Sequence, residues 1–178
     1  MKSLPQHAVI ITGLPLSGKT TASNFLKSLS FFVVSAGEII REMCIAKGIP
    51  TTRKSLQFFG QSLLNQKGFE YFANMLLEES RGAEKVVFDG IRFVQVIKII
   101  KTKIKKVLVI YVEADENNRK KRFNLSKGVD EMQYLEILEA PLELEVLKSK
   151  RIADVVIDNN SDKEKFLNSI YKAVVCQL

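Results

Sequence analysis

The sequence predicts a three-layer α/β fold, in which helices cover both faces of a five-stranded parallel sheet. Two observations support this prediction. Five short apolar segments rich in β-branched residues alternate along the chain with segments whose apolar residues recur at helical spacing. The first apolar segment also leads, through a glycine-rich turn, into a helical segment. Strands that alternate with helices form parallel sheets, so we expect the 178 residues to fold as a single domain.

The first half of the chain is predicted to contain three strands and four helices. The apolar runs that predict the strands are AVIIT, FFVVSA and KVVFDG, at residues 8–12, 31–36 and 85–90. Apolar residues three or four apart predict helices from Lys19 to Leu29 and over residues 37–48, 51–68 and 69–80. Gly48 and Pro50 mark the end of the second helix, since glycine often ends a helix and proline cannot continue one.

The second half follows the same alternation. Strands are predicted at residues 106–114 and 153–160, and helices at residues 94–106, 115–123, 131–150 and 162–178. Pro141 predicts a break or kink within the third of these helices. The polar stretch at residues 124–130, which contains Gly128, is predicted to be a loop.

The composition excludes several classes of site. The formal charge of +7 suits an anionic ligand such as a nucleotide, and it equally suits solubility alone. Cys44 and Cys176 lie far apart and His7 is the only histidine, so a disulfide framework, a zinc site and a histidine-based triad are not expected. The N-terminal apolar run is too short for a signal peptide, and no apolar run approaches about 18 residues. We therefore expect a cytoplasmic protein without a membrane span.

One motif predicts phosphate binding. The stretch ITGLPLSGKTT matches G-x-x-x-x-G-K-[ST] and lies between a predicted strand and a predicted helix, which is the context that the motif requires. Its glycines let backbone N–H groups turn towards phosphates, and the helix N-terminus adds its positive end. We expect Lys19 to reach the β- and γ-phosphates of ATP and Thr20 to bind Mg²⁺. Six of the residues predicted to hold ATP belong to this loop. The six are Gly13, Ser17, Gly18, Lys19, Thr20 and Thr21.

Asp89 is a second candidate ligand for Mg²⁺. It ends the predicted strand KVVFD, and an acid at the carboxyl end of a strand beside a phosphate loop can hold the metal directly or through water. The sequence Asp89-Gly90 is also typical of a turn, so a purely structural role is the alternative.

Several segments resemble the nucleoside monophosphate kinase group of P-loop proteins, the adenylate-kinase-like and dephospho-coenzyme-A-kinase-like enzymes. GLPLSGKTT is similar to their phosphate loop, VSAGEIIRE (34–42) to the adenylate kinase segment S-T-G-D-L-L-R, and FDGIR (88–92) to D-G-F-P-R. EADENNRKKR (113–122) resembles the entry to their lid, and ADVVIDNNSDKEKF (153–166) the last strand and adenine-packing loop of dephospho-coenzyme-A kinases. These segments occur in the same order as in that group and are distributed over almost the whole chain. They imply a P-loop nucleoside triphosphate hydrolase fold with acceptor-binding helices at about 37–80 and a lid at about 119–135.

The resemblance also implies roles for individual residues. Arg41 and Arg92 match arginines that contact the acceptor phosphate, and Arg122 matches a lid arginine. A reaction between two phosphates needs cations that hold the two anions in line and neutralise their charge. The alternative is that each arginine is a solvated surface charge. Asn159, which lies near the end of the chain, falls in the adenine-packing loop and is the seventh residue predicted to hold ATP. The residues implied for acceptor binding from the 34–42 segment are Ser35, Gly37, Glu38 and Arg41.

A polar stripe marks the predicted helix at 51–68. Arg53, Gln57, Gln61 and Asn65 are four residues apart and share one face of the helix. The segment RKSLQFFG, from Arg53 to Gly60, also resembles the R-x-x-L-Q-x-x-G helix of small deoxynucleoside monophosphate kinases. Amide side chains can read a base edge, so Arg53 and Gln57 are predicted to line the acceptor pocket, while a solvent-exposed polar face is the alternative.

These patterns predict an enzyme that transfers phosphate from ATP, with Mg²⁺, to a nucleoside or deoxynucleoside monophosphate. A dephospho-coenzyme-A kinase is the first alternative, although that family has an aspartate where this chain has Gly37. A nucleotide-binding regulatory module with little turnover is the second. Small-molecule nucleotides are the expected partners, nucleic acid is not expected, and the acceptor base, its sugar and the oligomeric state stay open.

Overall fold

A five-stranded parallel sheet forms the centre of the protein. The computed structural model describes residues 2–127 and 141–178, with side chains described for residues 2–123 and 143–178. The strands are β1 (His7–Thr12), β2 (Phe32–Ser35), β3 (Lys85–Asp89), β4 (Lys106–Glu113) and β5 (Val155–Asp158). They lie in the order β2-β3-β1-β4-β5, and every neighbouring pair is parallel. The fold predicted from the sequence is therefore confirmed.

Helices cover both faces of this sheet. In chain order they are α1 (Lys19–Ser28), α2 (Ala36–Ala46), α3 (Arg53–Glu79), α4 (Val94–Lys103), α5 (Glu116–Lys127), α6 (Pro141–Ser149) and α7 (Lys163–Gln177), with a 3₁₀ turn at Lys150–Ile152. Side chains alternate along β1, so Ala8 and Ile10 pack against α2, α3 and α4, while Val9 and Ile11 pack against α1 and α7. β1 is therefore buried on both faces, as expected of a central parallel strand.

Two predicted breaks in the helices are present. Gly68 has φ 82° and interrupts α3 at the residue where one predicted helix ends and the next begins. Pro141 is the first residue of α6, a position where its missing N–H leaves no hydrogen bond unmade.

One predicted loop is wrong in part. Residues 124–127 continue α5 to Lys127, because polar side chains alone do not end a helix and no glycine or proline occurs before Gly128. The remainder of that loop, the first part of the predicted helix 131–150 and the end of the predicted lid at 119–135 lie outside the described residues. Within the part of the chain that is described, no helix is long and apolar enough to cross a membrane.

Candidate functional site

The phosphate loop connects the buried end of β1 to α1, and two of its glycines are required by their surroundings. Gly13 has φ 143°, and a Cβ there would lie 2.3 Å from the Val112 carbonyl oxygen of β4. Gly18 has φ 110°, and its Cβ would lie 2.1 Å from the Asn159 side-chain nitrogen. Any other residue would meet both steric overlap and backbone strain at these positions. The glycines of the motif thus allow the loop to pack directly on β4 and on the turn after β5.

The outer carbonyl groups of this loop are held by Arg122 and Asn159. The Arg122 guanidinium donates to the carbonyl oxygens of Leu16 at 3.0 Å, Ser17 at 3.1 Å and Asn159 at 2.6 Å. The buried Asn159 amide donates to the same Ser17 carbonyl at 2.7 Å. We name Arg122 and Asn159 the loop brace. Leu16, which has φ 63°, is a non-glycine residue in the left-handed region, a strained conformation of the kind that needs such support.

These contacts differ from what the resemblance implies. In this structure Arg122 contacts the backbone of the phosphate loop, and Asn159 is buried beneath that loop. Ser17 is also buried, and its hydroxyl has no hydrogen-bond partner in the described part of the chain. The catalytic role of Arg122 and the nucleotide-binding roles of Ser17 and Asn159 therefore stay predictions. The contacts of Arg122 and Asn159 show that these two residues also have a structural role.

Lys19 is the first residue of α1, and its side chain reaches back to the loop. Its ammonium group donates to the carbonyl oxygens of Gly13 and Leu14, both at 2.8 Å. Burial lowers the pKa of Lys19 to about 8, and the negative charges of Asp89 and Glu143 oppose this shift. A bound phosphate would favour the charged form in the same way, so the lysine is positioned to respond to an anion.

Asp89 and Thr20 have the chemistry expected of Mg²⁺ ligands. Asp89 ends β3 and is in register with Ile11 of β1 and Ser35 of β2, at the carboxyl edge of the sheet. Burial raises the pKa of its carboxyl group, against the effect of the Lys19 charge. Thr20 is exposed in the first turn of α1, and the half-buried Thr21 follows it. Carboxylate and hydroxyl oxygens are hard ligands of the type that Mg²⁺ binds, so these residues fit the metal.

A cavity of about 210 Å³ opens beside the loop. Lys19 and Gly13 line it, together with Arg53 of α3 and Arg92, which follows β3. Two residues with predicted acceptor-binding roles thus share a cavity with the phosphate loop, although they are 39 residues apart in the sequence. The arrangement can hold two anions close together.

Glu143 of α6 is a cavity residue that the sequence did not reveal. Its carboxylate is 3.1 Å from the Arg92 guanidinium and 3.7 Å from that of Arg53, and its side chain is only 3% exposed. It lies 90 residues from Arg53 in the chain. No local spacing links residues so distant, so only the fold brings this carboxylate to the two arginines.

The segment that resembles the adenylate kinase S-T-G-D-L-L-R motif lies elsewhere. Arg41 pairs at 3.4 Å with Glu38, one turn earlier on α2, and both side chains are well exposed. The Ser35 hydroxyl accepts a hydrogen bond from the Glu38 N–H and caps α2. Gly37 lies beside Gly90, near the cavity. None of Ser35, Gly37, Glu38 and Arg41 is among the described residues that line the cavity, and their predicted acceptor contacts stay predictions.

The polar stripe of α3 divides into two parts. Gln61 donates to Asn65 at 2.9 Å on the surface, so these two side chains satisfy each other. The Gln57 amide nitrogen, one turn from Arg53, is buried without a hydrogen-bond partner in the described part of the chain. A buried amide donor normally makes a hydrogen bond, so a ligand could supply the acceptor that the Gln57 amide nitrogen lacks.

Comparison with known proteins agrees with this architecture. A family described as AAA domain matches residues 12–138, more than half of the chain. A UPF0200/UPF0201 protein of Archaeoglobus fulgidus is 26% identical over 94% of this chain, which spans 54% of that relative's length. A dephospho-CoA kinase of Carboxydothermus hydrogenoformans is 27% identical, with 91% of this chain and 92% of that protein covered. The crystal structure of TT1252 from Thermus thermophilus has the same fold, with a TM-score of 0.69, 20% identity and 99% of each chain covered. The chain therefore belongs to the AAA domain family and has its α/β P-loop kinase-like fold.

Proposed function

We propose that the protein transfers the terminal phosphoryl group of ATP, in the presence of Mg²⁺, to a nucleoside or deoxynucleoside monophosphate. The observation that carries this proposal is the shared cavity, which is lined by Lys19 of the phosphate motif and by Arg53 and Arg92. A kinase must bring a donor and an acceptor phosphate together in line, and three cations lining one cavity can hold both phosphates there.

On the donor side, the backbone N–H groups of the loop and Lys19 would hold the β- and γ-phosphates. The exposed Thr20 hydroxyl and the Asp89 carboxylate would hold Mg²⁺, which neutralises charge on the phosphates. The loop brace hydrogen-bonds the carbonyl groups of Leu16 and Ser17 and so fixes the backbone of the loop. ATP would therefore meet donors that are already oriented, which is the basis of electrostatic catalysis.

On the acceptor side, Arg53 and Arg92 would hold the monophosphate. An acceptor phosphate oxygen is already anionic at neutral pH, so its attack on the γ-phosphorus requires no general base. The new P–O bond forms as the bond between the γ-phosphorus and its bridging oxygen breaks, and ADP leaves. The chain then has only to position the two phosphates and balance their charge.

A dephospho-coenzyme-A kinase is the second candidate, favoured by the relative of that name. Its acceptor is a hydroxyl group, which benefits from a carboxylate base. Gly37 stands where that family has an aspartate, but Asp89 lies close enough to act on Lys19, and Glu143 lines the cavity. We rank this candidate second because Gly37 replaces the aspartate of that family and the Glu143 carboxylate is engaged by two arginines.

One experiment separates these activities. The protein is incubated with ATP and Mg²⁺ and with each common ribo- and deoxynucleoside monophosphate or dephospho-coenzyme A, and the products are identified by ³¹P NMR. The proposal predicts ADP and a nucleoside diphosphate, whereas the second candidate predicts phosphorylated dephospho-coenzyme A. ATP turnover that none of these acceptors stimulates would contradict both, and ATP binding with little turnover would favour a regulatory nucleotide-binding module. Lys19→Ala should abolish any genuine transfer.

A further inference from the structure

The Glu143 carboxylate stands at the wall of the acceptor cavity with unused hydrogen-bonding capacity. One of its oxygens, Oε1, is buried and lies 3.1 Å from Nη1 of Arg92. Neither atom has an aligned hydrogen-bond partner in the described part of the chain. Charge attraction holds the pair together, while the directional bonds that a buried carboxylate and guanidinium normally make are absent at these atoms.

The chemistry of the two atoms restricts what can satisfy them. Oε1 of Glu143 needs a donor, and a phosphate group cannot supply one because it is an acceptor that the carboxylate repels. Nη1 of Arg92 needs an acceptor. An exocyclic amino group of a base donates but accepts poorly. A hydroxyl group both donates and accepts through one oxygen, so a single hydroxyl satisfies both atoms at once, whereas a base would need two separate atoms of its edge to do so.

We propose that Glu143, with Arg92, recognises a sugar hydroxyl of the acceptor and makes the enzyme select hydroxyl-bearing acceptors. This inference rests on the proposed function and names its substrate class. The acceptor phosphate takes the remaining guanidinium donors of Arg53 and Arg92, since each guanidinium has five N–H groups. A phosphate and a nearby hydroxyl on one molecule describe a nucleotide with an intact sugar.

The enzyme would select acceptors that carry the hydroxyl because the buried Glu143 and Arg92 atoms otherwise lack hydrogen-bond partners. A site built to hydrogen-bond a hydroxyl rejects the analogue that lacks it, because the buried partners then stay unpaired. Loss of a hydrogen bond to a charged group at such a site typically lowers affinity or kcat/KM by a factor of about 10 to 100. We therefore expect a 2′,3′-dideoxynucleoside monophosphate to have kcat/KM at least about tenfold below that of the matching ribonucleotide.

The test compares ribo-, 2′-deoxy- and 2′,3′-dideoxynucleoside monophosphates of one base with four proteins. The proteins are the unaltered chain, Glu143→Ala, the near-isosteric Glu143→Gln, and Glu145→Gln as a matched control. Glu145 lies on the same helix and pairs with Lys148 outside the cavity lining. The dideoxy penalty is the factor by which kcat/KM for the dideoxynucleotide falls below that for the ribonucleotide. Glu143→Ala should reduce this penalty to less than about threefold, and Glu143→Gln should leave a smaller penalty than that of the unaltered chain. Glu145→Gln should leave the penalty unchanged. KM for ATP should stay constant throughout.

A binding measurement keeps this inference separate from the proposed function. Calorimetry with ADP and Mg²⁺ present compares the affinities of the same three monophosphates without any turnover. Selective binding that depends on Glu143 supports the inference even if no diphosphate is ever formed, in which case only the proposed function fails. Equal binding of the ribo and dideoxy compounds by the unaltered chain, or a full penalty in both Glu143 variants, overturns the inference even if the kinase activity is present.

Discussion

Replacing Arg122 with alanine distinguishes two accounts of this residue. The resemblance to nucleoside monophosphate kinases implies a lid arginine that acts on the transferred phosphate. The structure instead places its guanidinium against the carbonyl groups of Leu16, Ser17 and Asn159, where it joins the phosphate loop to the turn after β5. A lid arginine affects turnover, whereas a brace affects the stability of the fold and the readiness of the loop for ATP.

The expected size of the effect follows from the three hydrogen bonds. Each bond from a charged donor at this partly buried site contributes about 1 kcal/mol net, since water reaches some of the freed carbonyl groups. Arg122→Ala should therefore lower the free energy of unfolding by about 3 kcal/mol. For a chain of this size, about 3 kcal/mol corresponds to a fall in Tm of about 6–12 °C. A loosened loop should also bind ADP about tenfold more weakly.

Urea unfolding and calorimetric ADP titration measure both quantities. Lys121→Ala is the matched control, because Lys121 is the exposed neighbour on α5 and its removal should change stability by less than about 0.5 kcal/mol. If Arg122→Ala keeps full stability and ADP affinity while kcat falls, the brace account is refuted and the lid account stands.

Three further predictions concern the phosphate loop and α3. Because burial lowers the pKa of Lys19 to about 8 and a phosphate would raise it, ADP binding should take up a proton above pH 8 and weaken as pH rises from 8 to 9.5. Calorimetry in buffers of different protonation enthalpy checks this, and a flat affinity would contradict it. Gly18→Ala should lower the free energy of unfolding by at least about 2 kcal/mol in urea, because it adds a clash and a strained φ. Asn159→Ala removes the clash but also the hydrogen bond to the Ser17 carbonyl, so the double variant should lose less stability than the sum of the two single changes. Gln57→Ala should raise KM for the acceptor several-fold without changing KM for ATP, whereas the control Gln61→Ala should change neither; equal loss for both substrates would reject a role in acceptor binding.

The fold was predictable because its signals are local. A buried parallel strand appears in the sequence as a continuous apolar run, and β1 and β3 are such runs. Gly68 and Pro141 mark helix boundaries through backbone properties that no distant residue overrides. The end of α5 was missed because the polar residues after Phe123 carry no comparable signal and tolerate a helix.

The site was predictable only where a motif is contiguous. The loop glycines, Lys19 and Thr20 belong to one short pattern, and Arg92 follows directly from the end of β3. Glu143 was missed because its partners lie on α3 and after β3, so the ion pairs are formed by the fold alone. The loop brace is similar, since Arg122 and Asn159 reach the loop across more than a hundred residues of sequence.

The central claim is that Lys19 and the pair Arg53 and Arg92 hold donor and acceptor phosphates in one cavity. The most direct measurement is the steady-state kinetics of Arg92→Ala with ATP and the best monophosphate acceptor. We predict that KM for the acceptor rises at least about tenfold, the loss of one charged contact, while the affinity for ADP stays unchanged. An unchanged acceptor KM, or an equal loss of affinity for both nucleotides, would contradict the account.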